Sequence, residues 1–319
     1  MLTQQAGIEI PMICGAMYPC SNPELVAAAS EGGGIGIMQP VSLTFVHGYD
    51  LREGIRYMRS LTDKPIGFNA LIEKGSKKYL QRMADWIDIA LEEDIRFFVT
   101  SLGKPDWVCE KVHAAGGFVY HDVTEMKWAQ KGIEGGVDGL VCVNERAGGH
   151  AGFKSAQLMH DELNGLGLPL ICAGGIGGRQ DFVEAIKIGY AGVQMGTRFI
   201  ATEECDSPEA YKQAIIRARE DDIVRTLRLT GVPISVIRSD KHREQNSWLM
   251  AKMLASKRLK HRARFLLNIR SLFRFKKMAK SNKPKHSHYW SAGKSVSGVD
   301  TIESATEIMR DFGAALERG

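Results

Sequence analysis

PLICAGG (Pro169–Gly175) and AGVQMGT (Ala191–Thr197) are short apolar runs ending in turn residues, with the helical pattern GRQDFVEAIKIG between them. Runs that are apolar at nearly every position belong to strands buried on both faces, as in a parallel sheet covered by helices. Toward the N-terminus the same unit recurs. Strand-like runs begin at Pro11 (PMICGAM), Gly34 (GIGIM), Pro65 (PIGFNAL), Ile95 (IRFFVTS), Gly117 (GFVYHDV) and Asp138 (DGLVCVN). Amphipathic stretches separate them. NPELVAAASEGG opens on Asn22 as an N-cap with Pro23 beside it. KKYLQRMADWIDIALEED sets Leu80, Met83, Ile87 and Leu91 on one face. PDWVCEKVHAAGG, TEMKWAQKGIEGG, SAQLMHDELNG and GRQDFVEAIKIG each end on glycine, the usual residue just past a helix. Eight strands, each followed by a helix, in about 210 residues predict an α/β fold closed as a TIM (β/α)8 barrel. An open doubly wound sheet is the alternative, but it would use fewer strands and show a GxGxxG turn after the first, which is absent.

The chain has 319 residues, 44% hydrophobic and 25% charged, so it can bury a large core. No window offers eighteen apolar residues, which excludes a membrane-spanning helix. The first residues lack the basic region and long apolar run of a secretory signal. Six cysteines are scattered without a CxxC pair, and Cys14, Cys142 and Cys172 lie inside strand-like runs as small core residues. This usage predicts a reducing, cytoplasmic setting and no metal site.

The barrel is read over residues 1–220, and a second region over 221–319. Residues 238–285 hold 16 Lys and Arg against two acids, Asp240 and Glu244, so the rest of the chain is net acidic. Apolar residues among the charges, such as Met253, Leu259, Leu266 and Phe273, predict one or two basic amphipathic helices. A lid over the barrel mouth or a dimer arm is the first expectation, and docking of an acidic partner the second. Nucleic acid is not expected as a partner. The last stretch, TIESATEIMRDFGAALERG, predicts a closing helix with Thr301 as N-cap and Ile302, Ala305, Ile308, Met309 and Phe312 on its apolar side.

Chemistry concentrates at strand ends. Ala173-Gly174-Gly175 after strand seven and Gly196-Thr197 after strand eight occupy the loops that form the common phosphate site of such barrels, where backbone N–H groups face an anion. After strand six, Ala147-Gly148-Gly149-His150 places a histidine on a glycine-rich loop with room for a substrate, and its unperturbed pKa near 6.5 suits proton abstraction. Gly15-Ala16-Met17 after strand one and Asn69 in strand three would suit the edge of a flat isoalloxazine ring. His121 and Asp122 end strand five, where lining the pocket and a structural hydrogen-bonding role stay open.

Taken together, GAM at Gly15, AAASEGGGIGIM from Ala27, PIGFNAL at Pro65, AGGHAG at Ala147, ICAGGI at Ile171 and VQMGTRF at Val193 resemble the nitronate monooxygenase (2-nitropropane dioxygenase) family. That family also includes flavin-dependent enoyl-acyl-carrier-protein reductases. The pieces follow family order over residues 8–220, and WSAGKSVSGVDTIESATEIMRDF from Trp290 resembles the closing segment. The resemblance implies non-covalent FMN, with its phosphate on Gly174, Gly175, Gly196 and Thr197. It implies a flavin ring near Gly15, Ala16, Met17 and Asn69, with His121, Gly149, Ala173 and Gln194 also assigned to the cofactor. His150 is the implied base. The implied reaction is oxidation of alkyl nitronates by O2 to carbonyl compounds and nitrite. Many relatives carry a glutamate immediately before AGGH, whereas this chain has Arg146, with Glu145 one residue earlier, so Arg146 is assigned to substrate; Ser291, in the closing segment, is assigned to substrate as well. Two alternatives use NAD(P)H as reductant, an enoyl-acyl-carrier-protein reductase and a quinone reductase. A non-catalytic flavin-binding barrel is the rival from another class.

Overall fold

β1 (Met12–Cys14), β2 (Ile35–Met38), β3 (Ile66–Ile72), β4 (Phe97–Leu102), β5 (Phe118–Val123), β6 (Gly139–Val143), β7 (Leu170–Ala173) and β8 (Gly192–Met195) pair in chain order, and β8 returns to β1 to close a parallel barrel. Each strand lies within, or one residue beyond, the run predicted for it. The computed structural model describes residues 1–73, 75–227, 231–238, 248–256 and 290–317, together with Leu259, Ala263, Leu267, Arg270 and Phe273.

Alternation along each strand separates an inside from an outside. Ile13, Ile35, Ile37, Phe97, Val99, Tyr120, Val141 and Ile171 fill the interior as one apolar cluster. Their chain neighbours, such as Met12, Phe68, Phe98 and Leu140, face the helical layer instead. A helix that patterning did not announce, α1 (Leu2–Ala6), closes the amino-terminal end. Leu2 and Ala6 join the interior cluster, and Gln5 accepts a hydrogen bond from the Tyr120 hydroxyl at 2.6 Å. With that end plugged and the interior filled, the carboxyl ends of the strands are left to bind a ligand.

The outer layer holds α2 (Pro23–Glu31), α3 (Leu51–Leu61), α4 (Lys77–Glu92), α5 (Asp106–Ala114), α6 (Met126–Glu134), α7 (Ala156–Leu163) and α8 (Arg179–Ile188). Gly189 ends α8 with φ 115°, the left-handed turn expected of it. Asn22 stands at the N-cap position of α2, but its side chain makes no cap. It donates to Glu24 at 2.7 Å and to the Glu204 carbonyl at 2.8 Å, tying α2 to the loop after β8. α3 was not among the predicted helical patterns, although its signals are present: Asp50 caps it through Arg52 N at 3.0 Å, and Leu51, Ile55 and Met58 are its buried face.

After α9 (Thr197–Ile200) and α10 (Glu209–Arg217) the chain does not simply break into helices. β9 (Ile223–Thr226) and β10 (Ile234–Ile237) form an antiparallel hairpin. Beyond it, α11 spans Trp248–Ala255, and Ala263 and Leu267 are buried. Most of the basic segment 238–285, and with it the expected lid, dimer arm or acidic-partner surface, lies outside the described residues. The closing helix α12 (Ala305–Glu317) starts later than predicted. Thr301 does not cap it: the Thr301 carbonyl accepts from Arg198 at 3.1 Å, and Glu303 bridges to Thr202. The first turn is held instead by Glu204, which accepts from Ser304 Oγ at 2.7 Å and Ala305 N at 2.8 Å. Ala305, Ile308, Met309 and Phe312 are buried as expected, whereas Ile302 precedes the helix and is half-buried. α12 packs between α2 and α8, with Met309 against Gly32 and the Phe312 ring 6.1 Å from that of Phe182. It thereby completes the outer ring. Among the described residues no helix is long and apolar enough to cross a membrane, and all six cysteines are buried and unbridged.

Candidate active site

The loops after β7 and β8 open on the same end of the barrel. Gly174 and Gly175 have φ of 116° and 85°, a region side chains resist. A Cβ on Gly174 would stand 2.5 Å from Asn144 Oδ1 and 2.6 Å from Ala147 N; one on Gly175 would stand 2.6 Å from Arg146 Nε. Both positions therefore favour glycine. Thr197 Oγ1 accepts from Gly293 N at 3.0 Å, which leaves its own proton free to donate.

The wall beside these loops comes from β1 and β8. Gly15 lies against Gln194, whose Cγ would be 2.9 Å from an added Cβ, and Gly196 lies against Met17 Sδ. Ala16 and Ala173 pack on the interior cluster below. Asn69 is buried, and because Phe68 and Ala70 face the helices it faces inward. Gly15, Ala16, Met17, Asn69, Ala173, Gly174, Gly175, Gln194, Gly196 and Thr197 are thus brought to one mouth. His121 is not. It sits on the outer face of β5, its Nδ1 2.8 Å from Thr100 Oγ1 and its ring against Gly132 of α6. Desolvation pushes its pKa down to about 4, as for a neutral structural histidine. Asp122, its neighbour, takes the inward place.

His150 rides on the loop after β6. Asn144 anchors the start of that loop, donating to the Gly174 carbonyl at 2.8 Å and accepting from Arg146 N at 2.8 Å. Arg146 lies over Gly175 and donates to Glu220 at 3.0 Å, holding the Glu220 carboxyl below its ordinary range. Its charge is therefore answered by Glu220 and is not aimed alone at the mouth. The hairpin then straps the loop. Ser235 N donates to the Gly149 carbonyl at 2.8 Å, and Arg225 reaches the Gly152 carbonyl. Ser291 joins the same ladder: it bridges to Val236, and its hydroxyl donates to the Ser235 carbonyl at 3.4 Å. The segment behind it covers the loop, with Lys294 N donating to the Arg146 carbonyl at 2.8 Å. Solvent reaches His150, yet the protein crowding its ring lowers its pKa by desolvation. Sequence patterns missed Asn144, Glu220 and Ser235, whose roles depend on partners distant in the chain.

The strap yields a prediction. Ser235→Pro deletes the N–H that holds Gly149. Turnover should fall by roughly 10-fold or more, because displacements of about 1 Å at a catalytic group carry such penalties. Flavin content should be unchanged. Steady-state rates beside the protein-bound flavin absorbance test this, and an unchanged rate would show that the strap does not position His150.

The family model described as nitronate monooxygenase matches residues 1–314. The chain belongs to the nitronate monooxygenase family. Among relatives of this family member, (3aS,4S,5R,7aS)-5-hydroxy-7a-methyl-1-oxo-octahydro-1H-indene-4-carboxyl-CoA dehydrogenase from Mycobacterium tuberculosis is 29% identical over 243 residues, 75% of this chain. That match spans 66% of the dehydrogenase, just short of two thirds of its length. A probable nitronate monooxygenase from Staphylococcus saprophyticus is 26% identical over 293 residues, covering 77% of this chain and 81% of that protein. Among solved structures, FabK from Thermotoga maritima superposes with a TM-score of 0.80 at 27% identity, covering 99% of this chain and 96% of that one. The names of that family and of these relatives are those of oxidoreductases.

Proposed function

We propose that the protein is an FMN enzyme that oxidises alkyl nitronates with O2, with His150 as the base when the substrate arrives as a neutral nitroalkane. One observation carries this reading: a desolvated histidine stands on a strapped glycine loop at the same mouth as two glycine-lined loops. FMN fits that mouth. Its phosphate would lie on Gly174, Gly175 and Gly196, where added Cβ atoms would collide or crowd the chain, and on the Thr197 hydroxyl. Its ring would lie along Gly15, Ala16 and Met17, within reach of Asn69 and Gln194, with Gly149 bordering it. Bound there, FMN supplies an electron acceptor that O2 can regenerate.

The protein's own part is to bind, orient and deprotonate. His150 Nδ1 or Nε2 removes the α-proton of a nitroalkane; a preformed nitronate needs no base. The overall change balances as two nitronates and one O2 giving two carbonyl compounds and two nitrite ions. Oxygen uptake and nitrite release in a one-to-two ratio test the reading, and nitronate left unconsumed by holoenzyme would refute it.

A pH profile follows from the lowered pKa of His150. The ring must be neutral to accept a proton, and its neutral form persists below the ordinary 6.5. kcat/KM for a neutral nitroalkane should therefore hold level down to about pH 6.5 and drop only below it. An acid limb centred above pH 7 would mean that another group is the base.

The dehydrogenase relative favours a second reading, a hydroxylated CoA thioester as electron donor. His150 would then take the hydroxyl proton, and bound FMN would supply the electron-accepting chemistry. The FabK likeness similarly supports the enoyl-acyl-carrier-protein reductase alternative, with NAD(P)H as reductant.

A further inference from the structure

Asp122 is the residue the proposed chemistry leaves unused. On β5, Tyr120 belongs to the interior cluster and His121 faces α6, so Asp122 returns to the inside nearer the mouth. It lies opposite Val141 of β6, and β6 runs on into the loop that carries His150. By the same alternation Ser101 of β4, Asn69 of β3 and Gln194 of β8 are also polar inward residues of the wall. Asp122 Oδ1 is buried and has no hydrogen-bond partner among the described residues. A buried acceptor without a partner requires an explanation, and at a barrel mouth a ligand provides one.

The charged groups around it do not supply a partner. Lys104, after β4, pairs with Asp106. Asp138, at the amino end of β6, pairs with His113. Arg146 is held by Glu220. His121 is turned outward, and His150 is the titratable group on the loop above. Burial, with no charged neighbour contributing, pushes the Asp122 carboxyl up to about 7.

We propose that Asp122 is a specificity-determining residue of this site: as a neutral acid it donates a hydrogen bond to an oxygen of an anionic, nitronate-like substrate, and as a carboxylate it repels that substrate. The proposal rests on the nitronate reading above. It makes acceptance of an anion depend on a proton held on the wall, while a neutral nitroalkane is indifferent to the charge.

The test compares wild type with Asp122→Asn, which keeps the shape and a donor but stays neutral at every pH. With holoenzyme, wild-type KM for propyl-2-nitronate should rise about tenfold per pH unit above pH 7, as for binding to one protonation state. In Asp122→Asn it should stay flat, and KM for neutral 2-nitropropane should be level in both proteins. A variant that keeps the wild-type slope for nitronate overturns the proposal. A second probe needs no turnover and so separates this failure from failure of the nitronate reading. Nitrate, a planar anion, is titrated while flavin absorbance is followed. Wild type should bind it more weakly as pH rises through 7, and Asp122→Asn should bind it equally from pH 6 to 9. Nitrate binding that is pH-independent in wild type, or absent from the variant, overturns the assignment of Asp122 whatever the enzyme oxidises.

Discussion

Replacing His150 with alanine should slow turnover of neutral nitroalkanes by roughly 10²–10⁴-fold, the usual contribution of a positioned general base. Preformed nitronates, which have already lost the α-proton, should be oxidised at close to the wild-type rate. FMN should remain bound, because the proposed phosphate loops Gly174-Gly175 and Gly196-Thr197 leave from different strands than the His150 loop. Steady-state oxygen uptake on matched nitroalkane and nitronate pairs measures the contrast. Equal losses on both substrates would assign His150 to positioning and not to proton transfer. The ring is suited to the task because desolvation favours its neutral form, and because Ser235 pins the preceding glycine.

Gly175→Ala should weaken FMN binding by about one to two orders of magnitude. A side chain at φ 85° incurs backbone strain of about 1–3 kcal/mol; the free loop relieves it by leaving that geometry and FMN binding must restore it, each 1.4 kcal/mol being about tenfold in affinity. The added methyl would meet Arg146 Nε, which belongs to a side chain that can swing aside, so the barrel itself should still fold. Gly174 differs, since there a methyl would meet the backbone N of Ala147, and its substitution should damage the His150 loop as well. Titrating FMN into apoprotein and following flavin fluorescence gives the affinity, with circular dichroism to check the fold. Unchanged affinity for Gly175→Ala would remove the phosphate from this loop.

The barrel was legible because strands buried on both faces leave continuous apolar runs, and all eight did so here. That same property hid which side chains face inward. In FVYHDV neither alternating set is distinctly more polar than the other, so the pattern does not show that His121, assigned to the cofactor, turns out against α6 while Asp122 turns in. The hairpin was unreadable for another reason. IVRT and ISVI are four residues each, and β10 is fixed as much by pairing to Gly149 and Ser291 as by its own pattern. Glu220, the partner that answers Arg146, is 74 residues away in the chain, so no local pattern shows the pair. The late start of α12 is similar: Thr301 has the character of a cap, but Arg198 takes its carbonyl and Glu204 caps from outside the segment.

The glycine loops and the strapped His150 support one proposal, that this mouth binds FMN and takes electrons from a nitronate. Anaerobic mixing of the purified holoprotein with propyl-2-nitronate, followed by flavin absorbance, tests it most directly. The account predicts that the oxidised flavin spectrum bleaches on mixing and returns when O2 is admitted, with nitrite released. A flavin that keeps its oxidised spectrum with nitronate, but is bleached by NADH, NADPH or a hydroxyacyl-CoA, would contradict it.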